Sequence, residues 1–139
     1  MKRALPVLFC LAALAAACQT EDPTTTQTIP TTPTNPTVQN FSGTVQVKGK
    51  DINPFTVALS GGTLTVALTS AAPSIAMGVG VGVWDGTTCT LLTNGSQTTV
   101  PRPDPVLSGT VNGGDYCLQV FDAGSQTVPV SYTATVTHY

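Results

Sequence analysis

Apolar and polar residues alternate with a period of two through most of the chain beyond residue 40, and any fold has to satisfy that alternation. Phe41, Gly43, Val45 and Val47 are separated by polar residues, and so are Phe55, Val57 and Leu59, then Leu64, Val66 and Leu68. Successive side chains of a strand point to opposite faces, so this pattern describes strands with one buried side. No window carries the i, i+3, i+4 recurrence of an amphipathic helix. Further strands are predicted at Ile75 to Trp84, at Cys89 to Leu92, near Thr98, at Val106 to Val111, at Tyr116 to Phe121 and at Val128 to His138. Ser60-Gly61-Gly62 reads as a tight hairpin between the second and third strands, because glycine reaches the positive φ such turns need. About seven to nine short antiparallel strands imply an all-β domain, a β-sandwich or a small barrel, over residues 40–139.

The first residues have a different character. Lys2 and Arg3 precede the apolar run Ala4 to Ala17, which ends in Ala15-Ala16-Ala17 immediately before Cys18. The arrangement is that of an export signal, and it resembles the lipobox of bacterial lipoproteins. The resemblance implies cleavage after residue 17 and a diacylglyceryl group on the Cys18 sulfur. Leu14 stands four residues before the cysteine, where the family usually has leucine three before. A secreted protein cut after Ala15-Ala16-Ala17, with Cys18 a free thiol, is the alternative. An uncleaved transmembrane helix is disfavoured, since about 14 apolar residues interrupted by Pro6 fall short of the roughly 20 a bilayer requires. Gln19 occupies the position where the family's inner-membrane retention signal has Asp. The expected location is therefore the bacterial cell envelope, with a lipid anchor in the outer membrane.

Of the four cysteines, the lipobox resemblance implies that Cys10 leaves with the signal and Cys18 carries the lipid, which would leave Cys89 and Cys117. In an oxidising compartment two such thiols are expected to pair, with two unpaired buried thiols as the competing reading. A structural metal is not expected, because the chain has no CxxC and a single histidine.

Between Cys18 and Gln39 the composition turns to threonine and proline, as in Pro30-Thr31-Thr32-Pro33. A segment with so little to bury cannot offset the entropy of ordering, so residues 18–39 are expected to be a disordered linker. As polyproline II at about 3.1 Å per residue, it could hold the domain roughly 60 Å from a lipid surface. Beyond the signal, Lys48, Lys50 and Arg102 face seven acidic residues. Nucleic acid is not an expected partner, since it demands a basic face.

The segments Phe55 to Leu68, Val79 to Gly86, Gly114 to Phe121 and Tyr132 to Val136 together resemble the bacterial pre-peptidase C-terminal domain. The resemblance implies a jelly-roll-like sandwich without catalysis of its own, appended to exported enzymes. No peptidase precedes it here, and the strand before Trp84 carries glycines where the family commonly has polar or acidic residues. Calcium or matrix binding is therefore not carried over.

That glycine strand is the main candidate for a site. Val79, Val81 and Val83 share one face, and Gly78, Gly80, Gly82 and Trp84 share the other. Glycine inside a strand often marks a close approach by another group. One reading is a shallow groove for a glycan or peptide, with Trp84 as platform and Phe121 or Tyr116 nearby. The reading favoured here is that neighbouring side chains such as Phe121 cover the glycines. Alternation also turns Cys117 away from the Tyr116 face, which puts a bridge to Cys89 outside one sheet or along its edge.

Catalytic constellations find little support. His138 is the lone histidine and belongs to a fraying strand unless it is docked, and no Gly-x-Ser-x-Gly elbow occurs. Asp85, Asp115 and Asp122 stand at turns, where carboxylates cap local amides. The expected role is a non-enzymatic interaction or binding module, with no cofactor. A glycan-binding module using Trp84, or an accessory subunit of a secreted peptidase or remote hydrolase, are the alternatives.

Overall fold

The computed structural model describes residues 35–139, so Cys18, the signal and most of the linker lie outside the described residues. Eight strands form: β1 (Thr37–Val45), β2 (Lys50–Val57), β3 (Gly62–Ala72), β4 (Met77–Trp84), β5 (Cys89–Thr99), β6 (Leu107–Val111), β7 (Gly114–Phe121) and β8 (Val130–His138). They make two four-stranded antiparallel sheets, ordered β1-β8-β3-β6 and β2-β7-β4-β5. That is the strand order of a jelly-roll sandwich. The expected architecture is the one found, and its strand count falls inside the expected range.

Alternation builds the core directly. Tyr116, Leu118 and Val120 of β7 point inward, as do Val79 and Val81 of β4 and Val130, Tyr132, Ala134 and Val136 of β8. The opposite face of the first sheet is hydroxylated: Ser42 pairs with Thr133, Thr44 with Ser131, and Thr135 donates to Asn40 at 2.8 Å. These cross-strand pairs let a surface poor in charge remain hydrated.

Several local expectations are corrected. β2 and β3 are not a hairpin, because they belong to different sheets. The turn itself exists, with Gly61 at φ 63° and its amide donating to the Ala58 carbonyl at 2.8 Å, but it carries the chain from one sheet to the other. A hairpin would set Val57 and Leu64 side by side in one sheet, whereas the arch puts their faces opposite each other across the core. Leu59, read as a strand residue, stands in that arch with 96% of its surface exposed. Val47 lies past the end of β1 and is also exposed. β1 opens at Thr37, inside the range assigned to the linker, because Val38 and Gln39 pair with Thr137 and Val136 of β8. The two short strands expected at Cys89 and Thr98 are one strand, β5.

Among the described residues only β4 and β5 are consecutive in the chain and paired in one sheet. Their register shifts, with Gly80 opposite Ser96 and Gly82 opposite Leu91, so that Leu92 to Gly95 leave the ladder.

Candidate functional site

Gly78, Gly80 and Gly82 are all buried, and each is covered by a different group. A Cβ added at Gly78 would enter the Phe121 ring, one at Gly80 would meet the Leu91 side chain, and one at Gly82 would meet the Thr90 carbonyl. The bare strip read from the sequence is thus not a groove. It lets a ring and the neighbouring strand lie directly on the β4 backbone.

The disulfide explains how β5 comes to lie there. Cys89 and Cys117 are bonded with their Cα atoms 5.8 Å apart. They belong to the two strands that flank β4, which in a flat sheet would be at least about 9.5 Å apart. The start of β5 is therefore folded over the outer face of β4 at Gly82, where a side chain would block it. Cys117 faces away from the core and Tyr116 into it, as alternation requires.

Trp84 is the first outward side chain after the glycines and is half-buried. It lines an open cleft of about 500 Å³ with Pro54, Phe55, Thr56, Asp85, Gly86 and Asp115. Pro54 and Thr56 share the outward phase of β2, and Asp115 is opposite Thr56 in the β2–β7 ladder. Thr56 Oγ1 donates to Asp115 Oδ1 at 2.7 Å. Asp85 Oδ1 receives the Thr87 amide at 2.8 Å, the Thr87 hydroxyl at 2.9 Å and the Thr88 amide at 2.6 Å. Those donors, the Thr88 amide foremost, hold its carboxyl below the usual range. Trp84 thus stands on a base fixed from two sides, by the capped Asp85 turn and by the bridge from its ladder partner Cys89.

The other two aromatic candidates do not join it. Phe121 lies opposite Gly78, six residues and about 20 Å along β4 from Trp84. Tyr116 is in the core, stacked on Phe55 with centroids 6.0 Å apart, and its hydroxyl donates to the Asn112 carbonyl at 3.0 Å. His138 is docked rather than frayed: its ring stacks on Phe55 at 5.9 Å and Gln39 Nε2 donates to its Nε2 at 3.2 Å. Asp122 caps backbone amides as predicted, receiving those of Lys48 and Gly124 at 2.8 and 2.7 Å. Asp115 does not do so, since its partner is the Thr56 hydroxyl on the next strand.

Two features had no place in the sequence reading. Asp51 and Asn53 occupy the inward phase of β2, where they meet Tyr132 of β8, and a polar pair continuing an apolar face is the signal that could have found them. A cavity of about 210 Å³ opens between the Leu92 to Gly95 excursion and β6. It accompanies the register shift, and the Asn94-Gly95 pair, with Asn94 at φ 59°, is the local signal that could have found it. No group of three or more potential metal ligands gathers among the described residues.

No known protein family and no curated protein matches this chain. Among solved structures, it is similar to PliG of Aeromonas hydrophila, a periplasmic inhibitor of g-type lysozyme, with a TM-score of 0.47 and 15% identity over 73% of this chain and 86% of that one. It is also similar to the Yersinia pseudotuberculosis-derived mitogen, with a TM-score of 0.43 and 16% identity over 75% of this chain and 86% of that one. Likenesses this distant carry no argument about function.

Proposed function

We propose that this protein is a non-catalytic binding module held at the bacterial envelope by a lipid on Cys18, with the Trp84 cleft as its binding surface. The observation that carries the reading is Trp84 itself: a large aromatic turned away from the core, in an open cleft, on a support stapled by Cys89–Cys117. Rigid aromatic platforms with few rotatable bonds lose little entropy on binding. The carboxylates beside it hold structure. Asp85 closes a turn and Asp115 ties β7 to β2, which leaves binding the better reading than bond cleavage. β1 enters the sandwich at the end where β4 leaves it, so Thr37 and the cleft stand at the same end of the domain.

Two measurements test this. Mass spectrometry of the mature amino-terminal peptide is expected to show acyl chains on Cys18, and an unmodified thiol overturns the anchor. For the cleft, the mature chain carrying Cys18→Ser is mixed with isolated envelope material. Its retention is expected to fall at least about tenfold in Trp84→Ala, the scale of an aromatic hot spot. Equal retention of the two proteins overturns the assignment of the site.

A further inference from the structure

Resting on the Trp84 cleft as the binding surface, we infer that its ligand is an uncharged oligosaccharide strand, lying across the indole with its hydroxyl groups directed at Asp115 and Thr56. Three observations lead there.

The first is the shape and lining. The cleft is open, and the apolar groups it presents outward are the Trp84 indole and Pro54, because Phe55, which also borders it, is buried in the core. A pyranose presents an apolar C–H face that covers one side of an indole, while its hydroxyl groups point outward to the rim. One π-face is also all the site offers. Phe55 and Tyr116 are stacked on each other in the core and Phe121 is about 20 Å away, so no aromatic cage surrounds the cleft to desolvate a cation.

The second is the hydrogen-bonding inventory. Thr56 uses its proton on Asp115 Oδ1, which leaves its oxygen lone pairs and the second Asp115 oxygen free to accept. Asp85 Oδ1 is saturated by three donors in its turn. Acceptors held in place by donors within the protein suit hydroxyl protons, and hydrogen bonds to a carboxylate are the stronger kind.

The third is where the charges lie. Lys50 opens β2 opposite Phe121, some 20 Å along the strand from Thr56, and the Lys48 amide is bonded to Asp122 at the same end. Arg102 runs beside β3, its amide donating to the Leu68 carbonyl. Among the described residues the cleft lining contains two carboxylates and no cation. A phosphorylated, sulfated or uronic polymer would meet repulsion there, and an uncharged glycan meets none.

The test uses the fact that Trp84 is the only tryptophan of the chain, so emission excited selectively at the indole, beyond the tyrosine absorption band, reports this site alone. The mature chain with Cys18→Ser is titrated with chitotetraose, cellotetraose and xylotetraose, and in parallel with tetralysine, with calorimetry as a second readout. The expected result is a saturable emission shift with at least one tetrasaccharide, at an affinity that does not change with salt. Binding by calorimetry is expected to weaken at least about tenfold in Trp84→Ala and to survive in Trp84→Phe, with Asp115→Asn giving an intermediate loss. Should Trp84→Ala fail to fold, the Trp84→Phe and Asp115→Asn titrations still decide the matter. No response to any saccharide overturns the inference. A response confined to tetralysine, weakening steeply with salt, overturns the ligand class and leaves the cleft as a binding surface. Failure of the cleft itself is read separately, from the envelope retention of Trp84→Ala.

Discussion

The Tyr132 hydroxyl donates to Asp51 Oδ2 at 2.8 Å, joining β8 of one sheet to β2 of the other, and Asn53 Nδ2 donates to the same hydroxyl at 2.7 Å. Gly43 makes room for the contact, because a Cβ there would collide with the Asp51 carboxylate and press on the Tyr132 ring. Removing the hydroxyl strands a half-buried carboxylate and an amide at once. Tyr132→Phe is expected to lower stability by about 1–3 kcal/mol, read as a reduced denaturation midpoint in urea.

The same contact gives a pH signature. Burial first, and then the bond to Asp51, hold the Tyr132 phenol well above its ordinary value. Since the folded value exceeds the unfolded one, this contribution to stability is present in full below about pH 10 and is lost as pH rises from there toward the folded value. Urea midpoints measured from pH 8 to 12 are expected to fall less steeply for Tyr132→Phe than for the wild-type protein. Parallel curves would assign the alkaline loss to other groups.

The Cys89–Cys117 bridge spans 28 positions in the chain. The chain-entropy treatment gives about 3.5 kcal/mol for a loop of that size. Urea unfolding with and without a reductant is expected to differ by that amount. Reduction should also loosen the start of β5, so Trp84 fluorescence should change before the core unfolds.

Gly78 and Gly82 look alike in sequence but are covered by different things. Alanine at Gly78 meets a half-exposed Phe121 ring, which can swing aside, while alanine at Gly82 meets the Thr90 backbone carbonyl. Gly82→Ala is therefore expected to destabilise by about 1–3 kcal/mol, and by more than Gly78→Ala. Thermal unfolding of the two variants ranks them, and a reversed order would show that β5 does not lie on β4 at this point.

Much of the candidate site was legible. The outward phase of Trp84 follows from alternation and the caps at Asp85 and Asp122 from local turn chemistry, the pairing of Cys89 with Cys117 follows from the cysteine count, and the covering of the glycines by side chains such as Phe121 from what glycine means inside a strand. The distance between Phe121 and Trp84 was not, although both are outward aromatics. It depends on the β4–β7 register, which puts Phe121 opposite Gly78 and Tyr116 opposite Val83. Asp115 was misplaced for a related reason. Its neighbours in the chain suggest a cap, while its partner Thr56 lies 59 positions away on β2.

From its sequence alone the chain is a β protein with buried and solvated faces assigned residue by residue, because the period of two is a property of the backbone and needs no knowledge of neighbours. Which strands become neighbours was settled only in three dimensions. The segments around Gly61 meet every local requirement of a hairpin, yet β2 pairs with β7, and β3 with β8 and β6. Burying both apolar faces at once requires two sheets stacked on each other, and that requirement outweighs the short loop that would favour joining consecutive strands in one.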